Sequence, residues 1–492
     1  MQDLMRRMAK GAAWMVFARM LDRGIGLIST IILARLLAPA DFGLVSLAAA
    51  ILAGLELLGA FSFDMALIQK QSADRRHYDT VWTITLLFAV FLGALMVLLA
   101  YPAARFFNDA RLAGVMQLLA IGAVAGGFSN VGVVAFRKEL QFDREFKFLL
   151  AKRLISFAVT VTLAFQWRDY RALVAGTVTG MVVGVAVSYW MHPYRPRFSL
   201  AAWRELFNFS RWLFASNALG FLYTKAADFI VAKSIDTTSL GYYSLAYEIS
   251  NMPSSELVMP INRAVFPGYS KMSSDPSALR QGYLNVMSMI VLLTVPASVG
   301  LGCVVVPLVN VFLGPKWLSV VPLIPVLAIH GLLMAIVGCG NYALLAAGKP
   351  REVTVLLCAR ACIAVPLLTL SALQWGVEGA AWALLLTSVL LLPMNYLQLS
   401  AALKVKVADL ARVFWRPVAG AAAMVGILVW VQVTVDFESG VFNQTKALLL
   451  LVASGAVTYC ATVFALWRLA NRPDGAERFL SEQMARRLRP SE

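Results

Sequence analysis

Apolar residues run through this chain in long blocks separated by short polar loops. About fourteen blocks reach the roughly 20 residues that a helix needs to cross a hydrocarbon layer. They run approximately over 12–37, 42–63, 78–104, 112–135, 146–165, 170–190, 206–232, 240–265, 283–313, 318–347, 353–373, 377–403, 413–435 and 447–469. Strand-like alternation is absent from them. A chain in lipid must satisfy its backbone groups internally, so these blocks predict helices and an all-α polytopic membrane fold.

The pattern also repeats. ARLLAPADFGLVSLA from Ala34 lies over AKSIDTTSLGYYSLA from Ala232 without gaps. Arg35 then meets Lys233, Gly43 meets Gly241, and Ser46-Leu47-Ala48 meets Ser244-Leu245-Ala246. Further on, Glu145 meets Glu352, Leu149-Leu150 meets Leu356-Leu357, and Arg153 meets Arg360. Six predicted spans separate the partners, so the copies share one orientation, related by an axis along the membrane normal. The expected domains are an N-lobe over 1–200 (helices 1–6), a C-lobe over 201–405 (helices 7–12), helices 13–14 over 406–470, and a cytoplasmic basic tail over 471–492.

Composition fits a membrane solvent. Mean hydropathy is +0.73 and charged residues make up 14% of the chain, against about 25% in soluble domains. The net charge of +16 does not point to nucleic acid, because Lys and Arg are spread through short loops without a basic stripe. Anionic lipid is the partner that this charge suits. With a cytoplasmic N-terminus, one face collects about 27 Lys and Arg, including Lys70, Arg195 and Arg204, against about 7 on the other. Both termini are therefore expected in the cytoplasm. The start, MQDLMRRMAKGAAWMVF, reads as an uncleaved first span, since Arg19, Asp22 and Arg23 interrupt the apolar run. The tail carries Phe479, Leu480, Met484 and Leu488 among arginines, a pattern shared by a surface helix and a frayed end.

An ionisable group at bilayer depth costs roughly 2.5–3.5 kcal/mol, so each one calls for a reason. Arg19 and Arg23 share a face of the first span, and Glu56 on the second returns to a similar depth. Lys152 and Arg153 lie about two turns into the fifth span, and Arg360 lies equally deep in the eleventh. Lys152 and Arg211 have stems long enough to snorkel. Arg19, Arg23, Arg153 and Arg360 form the candidate anion-binding set, because guanidinium forks bind phosphate and stay charged when dehydrated. A second cluster joins Lys225 and Asp228 on the seventh span with Glu248 on the eighth. With Glu56, these are candidates for coupling a proton or a sodium ion, and equally for closed structural ion pairs. His330 lies near a midplane and reads as a satisfied core histidine. Pro253, Pro260, Pro296, Pro307, Pro322, Pro325, Pro366 and Pro393 fall in spans of the second half, making it the more bent half. The five cysteines have no metal spacing, and no cofactor or metal is expected.

ILARLLAPADFGLVSLAAAI from Ile32, and RKELQFDREFK from Arg137 to Lys147, resemble the Wzx-like polysaccharide flippases of the multidrug, oligosaccharidyl-lipid and polysaccharide exporter superfamily. The resemblance covers about the first twelve spans. It implies two six-helix lobes around a cavity, alternating access, and no enzymatic activity. It further implies a polyprenyl-pyrophosphate-linked oligosaccharide as substrate, an inner-membrane location, and other polysaccharide-assembly proteins as candidate partners. Arg19 and Arg23 would meet the pyrophosphate. Two alternatives on the same fold stay open, a cation-coupled multidrug or metabolite antiporter and a lipid-linked peptidoglycan precursor flippase. A membrane polymerase would need catalytic groups in a sizeable loop, and the loops are short and hold only His77 and His192.

Overall fold

The computed structural model describes residues 2–57, 67, 74–139, 141–203, 221, 224–435, 440–472 and 476–477. The predicted span over 206–232 lies mostly outside the described residues. So do Lys70, Arg204, Arg211, the end of the second span, and the tail residues Phe479, Leu480, Met484 and Leu488. The described chain is helical, with no strand among the described residues. It divides into two compact units, Met1–Gly241 and Tyr242–Glu492.

The first unit begins with α1 (Gln2–Leu36), α2 (Pro39–Glu56), α3 (Arg75–Phe106) and α4 (Arg111–Gly127). α5 (Phe142–Trp167) and α6 (Tyr170–Met191) follow. α7 (Thr237–Pro253) straddles the boundary, and α8 (Met259–Met272), α9 (Pro276–Cys303) and α10 (Leu323–Ala346) come next. α11 (Pro350–Leu403), α12 (Val407–Thr434) and α13 (Val441–Leu469) complete the series. Nine helices among the described residues are long and apolar enough to cross a membrane. The count is ten if α4 and the helical stretch Val131–Lys138, bent by 68° from it, form one span.

The physical causes of the breaks are visible. α11 holds 54 residues, about 80 Å of helix, far more than the ~30 Å core requires. Its helical backbone fails at Trp375 and Gly376, where Gly376 takes φ +61°, so it supplies two of the predicted spans. α7 and α8 are joined by a π-helical turn over Ser254–Val258, directly after Pro253. A proline without an N–H and an extra residue in the turn together interrupt the regular ladder. α1 has the length of a span but carries Arg19, Asp22 and Arg23 in its middle.

Without a hydrophobic drive between helices in lipid, packing depends on close approach at small residues. α6 presents Gly176, Gly180 and Gly184 at i, i+4 and i+8 toward Thr160, Ser156 and Lys152 of α5. The Ser156 hydroxyl donates to the Gly176 carbonyl at 2.8 Å. The repeat glycines make a reciprocal crossing within the first unit. A Cβ on Gly43 would lie 1.6 Å from the Thr237 carbonyl oxygen, and one on Gly241 would lie 1.9 Å from that of Pro39. Thr237 is the repeat counterpart of Pro39, so each glycine meets the residue four before its own equivalent. The starts of these helices fit their sequence. Pro39 opens α2, and Asp41 accepts the Ala38 N–H at 2.9 Å, while Asp236 accepts the Ser239 N–H at 2.6 Å.

In the second unit α10 is the most deeply buried of the described spans. Its Leu332, Ala335, Cys339 and Leu344 pack with Tyr269, Tyr283, Met287, Leu399 and Leu403. His330 is buried there, with Nδ1 2.9 Å from the Ser388 hydroxyl. A charge pair closes the end of this unit. Arg416 of α12 has Nε 3.3 Å from Oε1 of Glu477, and their side chains are 5% and 7% exposed. Ala476 beside it donates its N–H to Ser288 Oγ at 3.3 Å. The start of the tail is thus docked.

Two outcomes follow for stability in detergent. Gly43→Ala should cost about 1–3 kcal/mol through backbone overlap, whereas Gly426→Ala, with nothing within 4 Å of its Cβ, should be neutral or slightly stabilising. Glu477→Gln should cost roughly 3–5 kcal/mol by leaving Arg416 buried without its counter-ion, and a double change to methionine at both positions should recover most of it. Thermal or denaturant unfolding of the purified protein measures both.

Candidate functional site

Arg19, Asp22, Arg23 and Gly26 stand at i, i+3, i+4 and i+7 on α1, and so share one stripe of that helix. α1 lies along α5, and aromatic rings set their register. Trp14 and Phe17 meet Phe146 at 4.9 and 5.7 Å between ring centres. Two turns further along α5, Arg153 reaches the stripe. Its Nε lies 3.1 Å from Oδ1 of Asp22. Its guanidinium rests over Gly26, where an added Cβ would come within 2.8 Å of Nη2. Glycine therefore gives the guanidinium its seat.

This pair is open. The side chains of Arg153 and Asp22 are 41% and 64% exposed. Arg19 is also exposed, and Arg23 is half-buried. Three guanidiniums and the Asp22 carboxylate thus share one face. Lys152, next to Arg153, takes another direction and lies along Gly184 of α6, with Cδ 3.4 Å from a Cβ there.

The other candidates are placed differently. Glu56 has an exposed side chain and forms no ion pair among the described residues, so the Arg–Glu pairing suggested by depth gives way to Asp22–Arg153. Arg360 belongs to the second unit and is 5% exposed, shielded where its repeat counterpart is open. Lys225 donates to Asp228 at 2.8 Å, and Asp228 is buried, forming a closed pair in the first unit. Glu248 is half-buried in the second unit. No group of three or more metal-ligating side chains occurs among the described residues.

A second polar centre of the first unit escaped the sequence reading. Asn130 is fully buried between α4 and the short helix Val134–Lys138. Its N–H donates to Ser188 Oγ at 2.9 Å, and its amide donates to the carbonyls of His192 and Tyr194 at 3.1 and 2.8 Å. Asp79 of α3 accepts from the Tyr194 hydroxyl and from the Arg197 N–H at 3.0 Å. Thr83 and Thr80 accept the N–H groups of Ser199 and Ala202. The non-helical segment 192–202 is thereby strapped across the start of α3. Burial pushes the His192 imidazole below its ordinary range, so the ring is neutral at pH 7. Outside the spans, Arg76 and His77 hydrogen-bond the exposed Asp74 carboxylate and hold it at about 2. The signal for Asp79 was present as an acid in the first turn of an apolar span.

Residues 32–322, more than half of the chain, match the family profile described as "Polysaccharide biosynthesis protein". The chain belongs to that family. It is 26% identical over 342 residues to the lipopolysaccharide biosynthesis protein WzxC of Escherichia coli (strain K12), covering 68% of this chain and 69% of that one. It is 25% identical to the teichuronic acid biosynthesis protein TuaB of Bacillus subtilis (strain 168), with 81% and 83% covered. Among solved structures, the lipid II flippase MurJ in an inward closed conformation matches with a TM-score of 0.75 at 14% identity, over 93% of this chain and 99% of that one. An inward-facing multidrug resistance MATE family transporter of the MOP superfamily matches at 0.62 and 16%, over 78% and 96%. These two likenesses establish the fold. The all-α polytopic architecture expected from the apolar blocks is the one observed.

Because both partners are substantially exposed, the Asp22–Arg153 pair should contribute little to folding. A double-mutant cycle with Asp22→Asn and Arg153→Gln, followed by thermal unfolding, should give a coupling of at most about 1 kcal/mol.

Proposed function

We propose that this protein is a flippase that moves polyprenyl-pyrophosphate-linked oligosaccharide units across the inner membrane by alternating access. The units would serve surface polysaccharide assembly as O-antigen, exopolysaccharide or capsule. The observation that carries the reading is the open basic stripe of Arg19, Arg23 and Arg153 on α1 and α5. Family membership supports the polysaccharide class of the substrate.

The chemistry follows from what the stripe offers. A pyrophosphate leaving water needs its hydration replaced, and guanidinium forks supply charge-assisted hydrogen bonds for that purpose. The Asp22 carboxylate holds Arg153 in place over Gly26 until phosphate oxygens take over its bond. A cluster of arginines facing the substrate would repel a cationic drug, which favours this reading over a multidrug antiporter. The prenyl tail stays in lipid while the head group crosses. Arg360 joins the proposed anion set as the repeat counterpart of Arg153. A proton or sodium ion would reset the cycle, with Glu56, Lys225, Asp228 and Glu248 as the candidate coupling groups. The six-plus-six-plus-two division of the spans, cytoplasmic termini and contact with other assembly proteins belong to the same proposal.

A deletion strain complemented with wild type, Arg19→Ala, Arg23→Ala or Arg153→Ala tests it. Each lost charge-assisted bond, at about 1.5–3 kcal/mol, should lower surface polysaccharide by roughly tenfold or more at equal protein level. Lipid-linked units should accumulate on the cytoplasmic leaflet. Normal polysaccharide in the uncomplemented deletion strain, with no trapped units, would contradict the proposal.

A further inference from the structure

In the first unit, α4 and α6 leave an apolar cleft of about 530 Å³ lined by Ile121, Val124, Ala125, Phe128, Val182 and Ala186. It extends about 10 Å along α4, within the ~15 Å hydrocarbon depth of one leaflet. Its α6 wall continues directly into Tyr189, one turn beyond Ala186 on the same face. Arg195 of the strap lies over the Tyr189 ring, with Cζ 5.4 Å from the ring centre. Its Nη1 donates to the carbonyls of His192 and Tyr194 at 3.0 and 2.9 Å, which fixes the guanidinium there. Its Nε and Nη2 make no hydrogen bond among the described residues.

The surroundings define the level of this guanidinium. Trp190 is 84% exposed and Phe198 72%, with Leu200 and Trp203 also exposed. Exposed aromatic rings beside arginines mark the interfacial layer where lipid phosphates lie. Arg75 and Arg197 add positive charge on the same strap and helix start. The nearby acids are hydrogen-bonded, Glu139 beside His192 by the Gln141 amide at 2.8 Å. Asp79 is buried under Tyr194 and the Arg197 N–H, with Arg75 at 3.7 Å, and Asp74 is held by Arg76 and His77. His192 is neutral and adds no charge.

We infer that this cleft and Arg195 form a binding site for one anionic glycerophospholipid, with an acyl chain between α4 and α6 and the headgroup phosphate on the Arg195 guanidinium. Charge complementarity selects the headgroup, and the short apolar cleft ending at a guanidinium selects the single-leaflet chain. Because the strap is the chain that leads out of α6, the bound lipid would brace that exit against the membrane surface. The site is separate from the stripe on α1 and α5, so it stands independently of the transport proposal.

The test uses the full-length protein in phosphatidylcholine vesicles that contain a minor fraction of phosphatidylglycerol. Lipid retained after gentle extraction is quantified by native mass spectrometry. Wild type should retain phosphatidylglycerol in preference to phosphatidylcholine. Arg195→Gln should reduce that preference about fivefold, the factor matching the ~1 kcal/mol of one basic group at an anionic surface. Arg195→Lys should keep most of it, which separates loss of charge from collapse of the strap. Ala186→Phe, filling the cleft, should reduce retention of the anionic lipid with unchanged thermal stability. No headgroup preference in wild type, or a preference untouched by Arg195→Gln and Ala186→Phe, would overturn the inference. So would displacement by a polyprenyl phosphate at lower concentration than by phosphatidylglycerol, because the cleft would then hold the carrier lipid instead.

Discussion

A peptide N–H or C=O in hydrocarbon has no water to bond, and this one constraint organises the molecule. It forces the chain into helices, and helices in lipid gain nothing from hiding apolar surface against one another. Association must come from close approach and from the few polar groups present. The glycine line Gly176-Gly180-Gly184 against Thr160, Ser156 and Lys152 is one result. The reciprocal crossing of Gly43 and Gly241 is another, and there even a methyl group would overlap a backbone carbonyl.

The same dry solvent makes charge expensive, and the charges sort by how they are satisfied. Arg416 and Glu477 are buried together and dock the start of the tail, and Lys225 and Asp228 close on each other. Arg153 behaves differently. It has a counter-ion in Asp22, yet both side chains stay open, beside Arg19 and Arg23. An exposed pair contributes little to folding, and a closed one would serve structural ends better. This contrast separates the candidate anion site from the structural pairs.

Much of the architecture was legible in the sequence, because a span is a local property of about 20 residues. Gly43 and Gly241, matched to each other in the sequence, turn out to touch. Partnerships were harder to read. Glu56 and the arginines of the first span share a depth, but helix rotation turns Arg153 of α5, not Glu56, onto the Asp22 stripe. Rotation depends on packing at positions such as Phe146 and Gly26, which no spacing rule fixes. Glu477 was hidden in a run that reads as a solvated basic tail, and Asn130 in a short gap between helices. Each acquires its meaning only from distant partners, Arg416 in one case and the 192–202 strap in the other. The division of α11 was placed correctly by the loss of apolar continuity near Trp375, with the positive φ of Gly376 as its physical cause.

The central claim is that the α1–α5 stripe binds the pyrophosphate of a lipid-linked saccharide. The most direct measurement is equilibrium binding of a polyprenyl pyrophosphate to the purified full-length protein, wild type against an Arg19→Gln, Arg23→Gln, Arg153→Gln triple variant of matched thermal stability. The account predicts saturable binding by wild type and a loss of a hundredfold or more in the variant, on the order of 3 kcal/mol from several charge-assisted bonds. Equal affinity of the two proteins would contradict it.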